Sequence, residues 1–65
     1  MKVSDFLNLL YTDIQTVRLL EYDDSAEDEG RELFYGEALQ AMKSEYANRN
    51  VESFIPGTVL IIYME

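Results

Sequence analysis

Val3, Phe6, Leu7 and Leu10 recur at steps of three, one and three residues, the spacing of one helical face. Ser4 and Asp5 stand at the start of that run, a side-chain oxygen to cap early amides and a carboxylate near the positive end of the helix dipole. The pattern predicts a helix of about two turns, ended by Tyr11-Thr12-Asp13, too short to be stable unless it docks on something. From Ile14 to Tyr22 the preference is for strand, with Val17 and Leu19 on one face and Leu20 and Tyr22 on the other. Asp23 to Gly30 has no apolar period and reads as a loop. Arg31 to Tyr35 resumes as a strand, so the two strands form a hairpin.

Gly36 then punctuates the chain, and Glu37 to Ala47 predicts a helix. Ala38, Leu39, Ala41, Met42 and Tyr46 form its apolar stripe, and Glu45 and Arg49 stand four residues apart in the favourable order. Asn48 or Asn50 is suited to the left-handed position that closes it. Val51 to Ile55 is a third strand and Thr58 to Met64 a fourth, joined through Pro56-Gly57 by a connection longer than a two-residue turn. Val59 to Met64 is apolar without a break, which predicts a central strand buried on both faces.

The fold class expected is α+β. Residues 1–65 make a single small domain of order α-β-β-α-β-β, a four-stranded, mostly antiparallel sheet with two helices. Two hairpins joined by a helical crossover can place the first and fourth strands side by side and parallel, one of more than one way in which the hairpins can be assembled. That arrangement resembles the β-grasp topology with an extra N-terminal helix. The helices can cover one sheet face each; if both take the same face, the other must meet a second subunit.

Composition narrows the chemistry. The chain has 65 residues, 48% of them apolar and eight aromatic, too many for a disordered acidic tail. It holds thirteen acids against five bases, a net charge of −8, with no His, Cys or Trp. Imidazole bases, thiol nucleophiles, disulfides and the common zinc sites are thereby excluded. A free phosphate backbone is repelled, so direct nucleic-acid binding is not expected. A domain this small buries only about 60% of its unfolded surface, which makes a homodimer a welcome extra source of stability. No run reaches the ~18 apolar residues of a membrane span. The first residues acquire Asp5 at once and lack a signal peptide's apolar run, so cytoplasmic residence is expected.

The charge is concentrated. Between Glu21 and Glu32 lie Glu21, Asp23, Asp24, Glu27, Asp28, Glu29 and Glu32 against Arg31 alone, a net of −6; the remaining fifty-three residues carry six acids and four bases, a net of −2. The acidic hairpin loop, residues 23–30, supports several readings. One is a solvated tip. An EF-hand fails, because placing Gly30 sixth puts Gly36 where the bidentate Glu belongs; a looser Ca²⁺ or Mg²⁺ site stays open. Another is a docking surface for a basic partner, with Tyr22 and Tyr35 as aromatic anchors beside the carboxylates. Catalysis by paired carboxylates needs a cleft that a loop tip does not offer, and Gly30, Gly36 and Gly57 are too isolated for a phosphate loop. The chain is thus expected to be no enzyme, with no catalytic residue, resident metal or cofactor. Its candidate partner-binding residues are Glu21, Tyr22, Asp23, Asp24, Glu27, Asp28, Glu29, Glu32 and Tyr35.

In length, in the opening VSDFLNLL helix leading into a strand, and in the acidic hairpin, the chain resembles small acidic proteins encoded by phages and other mobile elements. Some of these are anti-CRISPR inhibitors that present carboxylates to the basic channel of an RNA-guided nuclease in place of its nucleic acid. What the resemblance implies is an inhibitor or adaptor docking on the basic surface of a nucleic-acid-binding protein. The alternative is a structural module acting through an apolar sheet face in a homo-oligomer. No single residue's role is carried over.

Overall fold

A computed structural model of the chain describes residues 1–10, 14–22 and 30–65. Helix α1 spans Val3–Leu10, strand β1 Thr16–Glu21, β2 Arg31–Glu37, helix α2 Ala38–Met42, β3 Val51–Ile55 and β4 Val59–Met64. The four strands form one mixed sheet in the order β2-β1-β4-β3, with β1 and β4 parallel and the two hairpins antiparallel. This is the expected α-β-β-α-β-β order, and of the assemblies open to two hairpins joined through a helix the chain takes the one with β1 and β4 parallel at the centre. The expected helix stop at Tyr11-Thr12-Asp13 and the acidic residues 23–29 lie outside the described residues, as does the side chain of Leu10.

Both helices pack on the same side of the sheet. Val3, Phe6 and Leu7 of α1 and Ala38 and Ala41 of α2 are enclosed with Val17, Leu19, Leu60, Ile62 and Met64, and Leu33, Phe34, Met42, Tyr46 and Val51 pack around them. The register explains the selection: Val17 pairs with Leu60 and Leu19 with Ile62, so these side chains share one face. A bulge between β1 and β2 leaves both Leu33 and Phe34 packed against that cluster.

Several local expectations are corrected. Ser4 is not the cap of α1. The helix starts one residue earlier, and its first amides are taken by main-chain carbonyls, Val3 N donating to Arg49 O (2.9 Å) and Ser4 N to Ala47 O (3.1 Å). A neighbouring segment thus satisfies the helix end and fixes α1 against the turn that follows α2. Gly36 does not end β2; it pairs with Val17 inside the strand, where an added Cβ would come within 3.0 Å of Gln40 and of Phe34.

Helix α2 stops at Met42, short of the expected Ala47. Beyond it Ser44 Oγ donates to Ala41 O (2.7 Å) and accepts from Tyr46 N (3.2 Å), while Ala47 N and Arg49 N reach carbonyls three residues back. A serine that supplies these bonds competes with the next helical turn, and tight turns replace it. With helical spacing lost, Arg49 turns to Glu21 rather than to Glu45, and neither Asn48 nor Asn50 takes a positive φ. Leu39, placed in the apolar stripe, is exposed. The β3–β4 connection runs over residues 56–58, longer than two residues as expected.

The largest correction concerns β4. It is central, as its composition predicts, but it buries one face only: Leu60, Ile62 and Met64 are enclosed, while Val59, Ile61 and Tyr63 stay half-buried. Two helices on one side leave the other side of the sheet without a layer.

Candidate partner-binding surface

The open face is built by alternation. Along β1, Thr16, Arg18 and Leu20 point away from the helices, and Tyr22 follows in the same phase. Their registered neighbours on β4 are Val59, Ile61 and Tyr63; across β4 from these stand Ile55 and Ser53 of β3. Across β1 from Arg18 and Thr16 stand Tyr35 and Glu37 of β2, with Glu32 opposite Leu20. The result is a shallow surface of aliphatic and tyrosine side chains edged by carboxylates. Among the described residues there is no enclosed cavity, so the geometry offers a surface rather than a substrate pocket.

The tyrosines have different roles. Tyr22 lies flat on Tyr63, ring centroids 4.8 Å apart and planes 16° from parallel, with its hydroxyl 3.2 Å from Ser53 Oγ. It therefore crosses β4 and reaches β3, and it still leaves 58% of itself exposed. Tyr35 is 62% exposed. Leu20, between them on the same face, is only 1% exposed and stands apart from the helix-side cluster. The open face thus has a small buried footing of its own beneath its exposed rings.

Of the expected site residues, Glu21, Tyr22, Glu32 and Tyr35 are described; Asp23, Asp24, Glu27, Asp28 and Glu29 fall outside the described residues. The described four do not act alike. Tyr22, Glu32 and Tyr35 belong to the open face. Glu21 pairs with Met64 in register and belongs to the helix side, where it accepts from Arg49 (3.1 Å) and Arg31 (2.5 Å). Arg49 also donates through Nε to the Glu65 carbonyl (3.1 Å), so one guanidinium ties the turn after α2 to the ends of β1 and β4. Glu32 is bound by Arg18 at 2.6 Å. Both flanking carboxylates are therefore neutralised within the chain. The Arg49 hydrogen bond holds the Glu21 carboxyl below its ordinary 4.5, with Arg31 adding to the effect and burial opposing it. The Glu45 carboxylate beside Tyr46, with partial burial, pushes that phenol above its ordinary value.

Sequence reasoning missed Ile55, Val59, Ile61 and Tyr63 as residues of the open face. Their signal was present in the period-two alternation of each strand, but the unbroken apolar run of β4 reads as burial on both faces unless the side taken by the helices is known. Among the described residues no group of three or more acids is arranged to hold a metal ion, and no helix is long and apolar enough to cross a membrane. No family model, no curated protein and no solved structure matches this chain.

Proposed function

We propose that this protein is a non-enzymatic acidic interaction protein, an inhibitor or adaptor that docks its β1–β2 hairpin on the basic surface of a nucleic-acid-binding protein. An anti-CRISPR-like mimic of nucleic acid on an RNA-guided nuclease is the form that the size and charge of the chain suggest. One observation carries the reading. Glu21 and Glu32 are paired with arginines, and between them residues 23–29 hold Asp23, Asp24, Glu27, Asp28 and Glu29, five carboxylates with no base in the same stretch. Such a cluster between two strands is suited to arginines and lysines that otherwise meet phosphate, and it speeds association at low salt. Reversing all five to Lys should abolish capture of the basic partner while the thermal unfolding transition stays cooperative. Unchanged affinity in that variant, measured by calorimetry at 50 and 300 mM salt, would sink the proposal.

A second reading, a structural module associating through its apolar sheet face, draws on the two helices sharing one side. Light scattering across a salt series reads it, since apolar self-association survives high salt and a charge-led contact does not.

A further inference from the structure

We draw no further inference here: the strongest candidate, the open sheet face around Leu20, Ile61 and Tyr63, carries nothing because no observation in the structure shows what covers it.

Discussion

The two faces of the sheet are made from similar residues and have different fates. On one side Val17, Leu19, Leu60 and Ile62 are completely enclosed by α1 and α2; on the other, Ile55 is 51% exposed, and Tyr22 and Tyr35 more so. Along β4 the two sets alternate within a single apolar stretch, Leu60, Ile62 and Met64 inward and Val59, Ile61 and Tyr63 outward. Hydropathy does not separate them. What does is the path of the chain: both helices connect on the same side, and the parallel pairing of β1 with β4 puts the outward residues of both central strands in one patch. No layer of the described residues covers that patch.

The sharpest way to break this comparison is to truncate one residue on each side. Leu19→Ala empties a fully buried site and should cost about 2–5 kcal/mol. A domain of this length is stable by only roughly 3–10 kcal/mol, so the variant should be largely unfolded in mild urea. Ile55→Ala, on the open side, should cost less than about 1 kcal/mol. Equal losses in urea titrations of the two variants would mean that the open face is covered in solution.

Gly30 ranks next. It has φ +76°, and a Cβ there would stand 2.2 Å from the Glu21 carbonyl oxygen, so the chain can enter β2 beside the end of β1 only without a side chain. Gly30→Ala should destabilise by more than about 1 kcal/mol, measured by thermal melting. Because that strain falls at the root of the hairpin, it should disturb β1–β2 amide exchange more than that of β3–β4.

The pH response sharpens the helix side further. Glu21 has its carboxyl held down by Arg49 and Arg31, so folding favours the ionised form. The stability this contributes is fully present above pH 4.5, the ordinary value, and is lost as pH falls through the lowered value in the fold. A urea midpoint followed downward from pH 6 should fall below pH 4.5, and Arg49→Gln should flatten that part of the curve. A response untouched by Arg49→Gln would assign the acid sensitivity to other carboxylates.

Much of the fold was legible in the residues, and the open face was not. Element order and the division of β1 into a Val17–Leu19 face and a Leu20–Tyr22 face followed from period and spacing, because strand alternation and helix repeat are local properties. The strand order and the choice of enclosed face did not, because they depend on where the helices pack. The length of α2 was not readable, since Ser44 ends it through bonds to Ala41 and Tyr46 that compete closely with another helical turn. Nor was the fate of Glu21: counted with the acidic hairpin by sequence, it faces the helix side because of its register with Met64, and it is claimed there by Arg49, twenty-eight residues away. Tyr22 and Tyr35, expected as aromatic anchors beside the acidic loop, are exposed, whereas Ile61 and Tyr63 were hidden by the run they sit in.

The smallest expected effects test the open face most directly, because function and stability should come apart there. Tyr63 is half-buried and carries the Tyr22 ring stacked upon it, so Tyr63→Ala removes a ring pair and part of the cover over β4. That pair alone is worth about 0.5–1.5 kcal/mol. Tyr35, on the edge strand and 62% exposed, has little to lose on truncation, and Tyr35→Ser should change stability by no more than about 0.5 kcal/mol. If Tyr35 serves contact with the proposed basic partner, Tyr35→Ser should weaken that binding at unchanged melting temperature, while Tyr63→Ala lowers both. A loss of stability from Tyr35→Ser comparable to that from Tyr63→Ala would mean that Tyr35 is held within the fold, and the open face would shrink to the strip between β1 and β3.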